Sequence, residues 1–276
     1  MDQGEALSNQ ALITVVMNCY NGEKFLRQAI ESVIAQSWKN WELIFWDNQS
    51  TDRSAEIFKS YDDPRLKYFY APTHTLLYEA RNHALEKASG DFYAFLDVDD
   101  WWVWDKLERQ MPLFNDPEVG FVCGNYWVKN ELKDRSWIAR TSPASQGWVV
   151  RDLLKDYFVG LLTLMIRRTA MDSLDHPFDP RYHVIGDLDL VVRMSTRWKL
   201  AYVHEAVAYY RIHGANETGR QRVRHIQELE IWARDMQNDA LVGPIFRLGD
   251  FNSRLSYIKA MHELLQNRQH AAFGIL

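Results

Sequence analysis

Along the first hundred residues, unbroken apolar runs alternate with stretches in which apolar positions recur at helical spacing. Leu12 to Met17 (LITVVM) is β-branched and apolar, and it closes on the turn chemistry of Asn18-Cys19-Tyr20-Asn21-Gly22, which predicts a buried strand. From Glu23 onward Phe25, Leu26, Ile30, Val33 and Ile34 share one face of a predicted helix. Trp41 to Trp46 (WELIFW) is the next predicted strand. It stops at Asp47-Asn48-Gln49-Ser50-Thr51-Asp52, whose Asp and Ser side chains suit the cap of a helix carrying Ala55, Ile57 and Phe58. Leu66 to Tyr70 gives a third strand, Tyr78 to Ser89 a helix closed by Gly90, and Phe92 to Leu96 a fourth strand ending at Asp97-Val98-Asp99-Asp100.

Strands and helices alternating at this spacing predict βαβ units with right-handed crossovers and a mostly parallel sheet. In such sheets ligands sit outside the carboxyl ends of the strands. Those ends carry Tyr20, Asp47 and the Asp97 to Asp100 cluster, so three separate segments deliver polar and acidic groups to one rim. After Asp100 the rhythm changes. Trp104 to Phe114 reads as helix, Gly120 to Cys123 as a short strand, Trp127 to Gly147 as polar loop, and Leu161 to Arg167 as strand. Asp187 to Met194 reads as helix and Leu200 to Tyr210 as an extended run. From about Gln221 helices follow, broken near Gly243-Pro244 and Gly249.

The chain has 276 residues, 47% hydrophobic and 25% charged, which excludes a disordered or collagen-like polypeptide. Its net charge of −5 lacks the basic footprint that phosphate neutralisation requires, so nucleic acid is not an expected partner. The N-terminal MDQGEALSNQ has neither the basic nor the apolar region of a signal peptide, and the apolar stretch from Val159 to Ile166 is too short to cross a bilayer. Cys19 and Cys123 are expected to be buried thiols in a reducing compartment, and the cytoplasm is the expected location.

Asp97-Val98-Asp99 offers the first chemistry. Two carboxylates two positions apart at a strand end repel each other, and a divalent cation with a preference for oxygen ligands relieves that repulsion. Such a cation can also neutralise a departing diphosphate. A lone D-x-D equally fits a solvated turn or a helix cap; its place on the rim shared with Asp47 and Tyr20 favours the metal.

Six ordered segments resemble the inverting nucleotide-sugar glycosyltransferases of family 2, which have the GT-A fold. They are VVMNCYNG at Val15 to Gly22, AIESVIAQS at Ala29 to Ser37, DNQSTD at Asp47 to Asp52, ARNHA at Ala80 to Ala84, LDVDD at Leu96 to Asp100 and LERQ at Leu107 to Gln110. The resemblance covers about Ile13 to Asn216. It implies a Rossmann-like central sheet flanked by helices, with a nucleotide-sugar half at about 11–115, an acceptor half at about 116–215 and a C-terminal helical extension at 216–276. It further implies that Tyr20 lies near the nucleotide base, that Asp47 accepts from the base N–H, that Arg81 contacts the nucleotide, that Asp97 contacts the ribose and that Asp99 binds a divalent metal, Mn2+ or Mg2+. Gly186-Asp187-Leu188-Asp189 is similar to the family pattern Glu-Asp-x-Asp, which makes Asp187 the candidate general base and leaves Asp189 a structural acid. Tyr210-Arg211-Ile212-His213 resembles a late R-x-H segment, with His213 a candidate metal or phosphate contact. Gly186 and Trp104 depart from the family pattern, where an acidic residue and a proline are common.

The resemblance implies a nucleoside-diphosphate sugar donor, with uridine or thymidine as the expected base, and a glycan or lipid-linked glycan acceptor. A nucleotidyltransferase would carry a Gly-rich basic loop after the first strand, and a dinucleotide oxidoreductase a G-x-G-x-x-G; neither is present. A sugar-nucleotide or glycan-binding protein of the same fold remains the alternative. Arg220, Arg222 and Arg224 precede Ile226, Leu229 and Trp232, a pattern that fits a solvated face over a packed stripe, or a weak contact with the inner membrane surface. Of 11 tryptophans, six (Trp101, Trp102, Trp104, Trp127, Trp137 and Trp148) follow the acidic motif. Flat rings with one polar N–H suit sugar faces, so Trp101 or Trp102 is expected at the donor-acceptor junction.

Overall fold

The computed structural model describes residues 11–263 apart from 248, 250, 254 and 261. The strand-helix alternation is as the apolar pattern predicts: β1 (Ile13–Cys19), α1 (Leu26–Ile34), β2 (Trp41–Asp47), α2 (Ser54–Lys59), β3 (Leu66–Tyr70), α3 (Leu77–Leu85) and β4 (Phe92–Phe95). Every residue of β1 and β2 is buried, because the sheet is covered on both faces. Helix α1 buries Leu26, Ala29, Ile30 and Val33, the i, i+3, i+4, i+7 stripe. The elements that follow are β5 (Trp101–Trp102), α4 (Lys106–Gln110), β6 (Val119–Asn130), β7 (Arg135–Ile138), α5 (Val150–Lys155), β8 (Met165–Arg167), α6 (Arg168–Asp172), α7 (Gly186–Ser195), β9 (Lys199–Ile212), α8 (Glu217–Arg220) and α9 (Arg222–Asn238).

The strands form one sheet in the order β3-β2-β1-β4-β8-β6-β9-β5, with β7 paired to β6. The β3, β2, β1 and β4 neighbours are parallel; β8 runs antiparallel to both β4 and β6, and β6 and β9 are parallel. Chain order reverses between β1 and β4, so the carboxyl ends of those two strands flank the crevice where ligands of open α/β sheets bind.

Three expectations need correction. The segment 127–147 is not all loop: β6 runs on to Asn130, and β7 returns beside it through a turn in which Asp134 adopts φ 44°. Lys129, Asn130 and Lys133 to Arg135 broke the apolar signal there because the hairpin stands at the rim. The helix expected to reach Phe114 gives way at Met111 to a 3-10 turn, since Pro112 has no N–H to continue the α pattern. Of Leu161 to Arg167, only Met165–Arg167 is strand, preceded by a 3-10 turn at Leu161–Thr163.

The two sheet faces support two apolar clusters. One packs α1, Phe45, Phe92 and Phe114 around Val15 and Met17. The other gathers Val16, Ile44, Phe95 and α7 together with Leu229, Trp232 and Met236 of α9, so the first C-terminal helix shares a core with the sheet. Helices expected beyond residue 263 lie outside the described residues, as does the N-terminal decapeptide. Both cysteines are free and buried. Among the described residues no helix is long and apolar enough to cross a membrane.

Two buried charges stand out. Glu42 on β2 accepts from the Thr14 hydroxyl at 2.6 Å, the Ser89 backbone N–H at 2.6 Å and Lys67 at 2.5 Å. Burial opposes its ionisation, yet these donors bring its pKa down to about 2. Lys106, by contrast, is fully buried, its Nζ 4.2 Å from the Trp102 ring centre and without a hydrogen-bond partner among the described residues. Burial drives its pKa well below the ordinary lysine value.

Candidate active site

A cleft of about 1440 Å³ opens over the carboxyl ends of β1 and β4. Tyr20, Asn48 and the Asp97 to Asp100 segment wall the sheet side, Tyr78 and Arg81 come from α3, and Asp187, His213 and Arg224 close the far side. The rim convergence predicted for Tyr20 and the acidic motif is therefore present, and residues more than a hundred positions later complete it.

Each acid of the Asp97 to Asp100 segment has a different environment. Asp97 accepts from Arg81 at 2.5 Å; burial raises its pKa and the guanidinium opposes that rise. Asp99 faces His213 at 2.9 Å across the cleft, with Nε2 toward Oδ2. Asp100 turns inward to accept the Arg211 backbone N–H at 2.8 Å, and burial, then the Asp99 charge, push its pKa well above the carboxylate range. The Arg211 side chain donates to the Asp99 carbonyl at 2.8 Å and also to Glu131 and Gln28. One guanidinium thus ties the motif to the β6–β7 hairpin and to α1.

Two polar groups in the wall are left open. Arg81 is 2% exposed and directs one terminal nitrogen at Asp97, while the other has no partner among the described residues. Asn18, at the end of β1, is 8% exposed, and both its amide oxygen and its amide nitrogen lack partners among the described residues. Buried polar groups in folded chains are ordinarily paired, which sets these two cleft residues apart.

Asp187 is the second residue of α7. Its Oδ1 accepts from the Tyr78 hydroxyl at 2.7 Å and its Oδ2 from the Tyr157 hydroxyl at 2.9 Å. Burial, then the Asp187 charge, raise both phenols well above their usual pKa, so they stand as donors. The structure also explains Gly186: a Cβ there would lie 2.5 Å from the Tyr78 ring, so any larger residue would dislodge the tyrosine that holds Asp187. Asp189 is structural, accepting from Arg193 at 2.8 Å and from the Trp232 indole at 3.1 Å.

Residues 14–172 match the family model described as glycosyl transferase family 2. The chain belongs to that family. Among its relatives, the Escherichia coli UDP-Glc:alpha-D-GlcNAc-diphosphoundecaprenol beta-1,3-glucosyltransferase WfgD is 34% identical over 167 residues, 60% of this chain and 64% of that one. The putative teichuronic acid biosynthesis glycosyltransferase TuaG of Bacillus subtilis is 30% identical over 204 residues, 73% of this chain and 79% of that one. The fold is shared with S. aureus TarS 1-349, at a TM-score of 0.68 and 18% identity over 88% of this chain and 71% of that chain. It is shared too with the mannosyltransferase PcManGT of Pyrobaculum calidifontis in complex with GDP-Man and Mn2+, at a TM-score of 0.67 and 15% identity over 98% and 82%.

In this family 2 glycosyltransferase two sets of predicted site residues lie elsewhere than expected. Asp47 is fully buried and does not line the cleft; its oxygens accept from the Ser50 N–H at 2.7 Å and the Tyr68 hydroxyl at 2.7 Å. The Ser50 hydroxyl in turn accepts the Asn21 N–H at 3.0 Å, so Asp47 braces the turn that carries Tyr20. Tyr20 itself is 55% exposed at the cleft mouth, its ring 4.5 Å from that of His74. Trp102 is a core residue, 3% exposed, its indole donating to the Leu162 carbonyl at 2.8 Å. Trp101 stacks on Tyr209 at 4.7 Å beneath the Arg211 guanidinium, and neither tryptophan lines the cleft. Sequence reasoning missed Asn18, Tyr78 and Tyr157. Asn18 was legible as the one amide closing an otherwise apolar strand, whereas the tyrosines carry no local signal.

Proposed function

We propose that the chain transfers a sugar, with inversion, from a nucleoside-diphosphate sugar to an acceptor hydroxyl, with Asp187 as general base. The observation that carries this reading is the placement of Asp187 in one cleft with Arg81, Asp97 and Asp99, each of its oxygens fixed by a phenol. In a single displacement the acceptor oxygen attacks the anomeric carbon, the carbon–oxygen bond to the diphosphate breaks, and Asp187 takes the hydroxyl proton. The fixed carboxylate confines the acceptor to one face of the sugar, opposite the leaving group.

Tyr20 stacks on the base, Asn18 and Arg81 offer their open donors and acceptor to the nucleotide, and Asp97 receives the ribose. A UDP-sugar or dTDP-sugar fits best, since WfgD is named for UDP-Glc and one TarS structure holds UDP-GlcNAc. Among the described residues no three His, Cys, Asp or Glu side chains gather as a metal cluster. Asp99 and His213 form a two-residue set, and hard cations that keep one or two protein ligands take the rest from substrate phosphates. When bound there, Mn2+ or Mg2+ supplies neutralisation of the departing diphosphate charge. The acceptor is a glycan or lipid-linked glycan of envelope polysaccharide, met at the cytoplasmic face of the membrane, in keeping with the diphosphoundecaprenol in the name of WfgD.

A donor panel tests this. Uridine, thymidine and guanosine diphosphate sugars are incubated with the protein and a polyprenyl-diphosphate sugar, with Mn2+ or with EDTA, and nucleoside diphosphate release is followed. Metal-dependent release from one donor, with an inverted linkage by NMR, is expected. Tight donor binding with no release from any donor identifies a binding protein instead.

A further inference from the structure

Immediately before α7, three consecutive backbone N–H groups converge on one side chain from elsewhere in the chain. Glu228 of α9 accepts from His183 at 2.8 Å on Oε1, and from Val184 at 2.8 Å and Ile185 at 3.2 Å on Oε2. Arg224, one turn earlier on α9, donates to the same carboxylate at 2.7 Å. Glu228 is 4% exposed, and its bond to the Ile185 N–H is fully buried while the other three are partly so.

Helix α7 has no side-chain cap of its own. A carboxylate on a neighbouring helix instead takes the N–H groups of the three residues that lead into it, the last of them the N-cap residue Ile185, and puts negative charge near the helix N-terminus. The other flank of the segment is held by α3: the Leu77 N–H donates to His183 Nδ1 at 3.3 Å, and the Tyr78 hydroxyl lies 3.4 Å from the Val184 carbonyl. His183 Nε2 completes the bracing against Glu217 at 2.8 Å. Residues 183–185 are therefore clamped between the nucleotide half and α9, and Asp187 follows two residues later.

We propose that Glu228 is a positioning residue for sugar transfer, holding segment 183–185 so that Asp187 meets the acceptor hydroxyl. The inference rests on Asp187 as the base. It places a determinant of turnover on a helix that lies beyond the 14–172 family match. A carboxylate is needed because a glutamine offers only one acceptor oxygen, and its NH2 would confront N–H donors. Misplacing a reacting group by a fraction of an ångström slows the chemical step without weakening the binding of a substrate held elsewhere.

The test compares Glu228→Gln, Asp187→Asn and Met236→Ala in the full chain, Met236 being a buried α9 residue about two turns further along the helix than Glu228. For each, kcat, donor Kd and Tm are measured. Glu228→Gln is expected to lower kcat by about tenfold or more while leaving donor Kd within about twofold. Met236→Ala is expected to lower Tm at least as much and to keep kcat. Wild-type kcat in Glu228→Gln, with Asp187→Asn inactive, overturns the positioning role alone. So does a loss of kcat that tracks Tm equally in Glu228→Gln and Met236→Ala. Normal transfer by Asp187→Asn removes the base reading, and the positioning role with it.

Discussion

The Tyr78 hydroxyl donates to Asp187 at 2.7 Å across 109 positions of sequence. Tyr78 lies on the helix that also carries Arg81, and Asp187 lies in the first turn of α7, so this bond ties two walls of the cleft together. Asp187→Asn is expected to lower kcat by roughly 10²- to 10⁴-fold, the range for removing a general base, with donor Kd unchanged by calorimetry. Transfer near the wild-type rate would disqualify Asp187.

Gly186→Ala tests the same bond by crowding. The added Cβ meets the Tyr78 ring at 2.5 Å, under any normal contact distance, so the ring must move and release Asp187. The expected result is a kcat loss of at least about tenfold. Combining it with Tyr78→Ala, which removes the ring, should make the glycine change nearly neutral relative to Tyr78→Ala alone; additive losses would mean the clash is not the cause.

At Asn18 affinity and stability should move in opposite directions. The buried amide has no protein partner among the described residues, so Asn18→Leu costs no protein hydrogen bond there and should hold or raise Tm. Donor affinity should fall by roughly 5- to 100-fold, the equivalent of about 1–3 kcal/mol. An unchanged Kd across uridine, thymidine and guanosine donors would show that the amide does not read the nucleotide.

Glu42 gives the fold an acid limit. Its pKa of about 2 lies below the ordinary 4.5, so the folded state binds fewer protons than the unfolded one between these values. The stabilisation, on the order of 3 kcal/mol from the pKa difference, is fully present above about pH 4.5 and is lost as pH falls toward 2. Glu42→Gln should therefore be less stable than wild type at pH 7, with the gap closing steadily in acid. Parallel denaturation midpoints across that range would contradict it.

Lys106 works in the other direction. Its depressed pKa means that between the folded value and the ordinary lysine value near 10.4 the unfolded chain holds a proton that the folded chain lacks, so stability rises with pH across that interval and levels off above it. Lys106→Met keeps the volume and removes the linkage. It should flatten the rise of stability with pH on the acid side of the ordinary lysine value, and the gain over wild type should shrink as pH approaches about 10.4. A destabilised Lys106→Met would reveal a partner for the amine.

What the sequence disclosed and what it hid follow from distance and from sheet geometry. β1, β2 and β4 were legible because strands covered on both faces read as unbroken apolar runs, and their ends led directly to Tyr20 and Asp97 to Asp100. Tyr78 and Tyr157 were not, because their importance lies in meeting Asp187, and nothing near either one announces that meeting. Trp101 and Trp102 stand outside the cleft lining for a reason visible in β5: adjacent strand residues point to opposite faces, one ring going into the core and the other onto Tyr209. Asp47 is buried and braces its own turn, which a carboxylate at a strand end is equally able to do.

Arg211 has a consequence for how the β6–β7 hairpin can be exchanged. Its one guanidinium holds the Asp99 carbonyl, Glu131 on the turn of the β6–β7 hairpin, and Gln28 on α1, and it lies over the rings of Phe25 and Trp101. The hairpin is therefore not an interchangeable module. A chimaera that imports a foreign hairpin without a residue matching Glu131 removes one of the carboxylates that face this buried cation, and the defect reaches the acidic motif through the Asp99 carbonyl. Hairpin grafts are best made as a set of Gln28, Glu131 and Arg211 together.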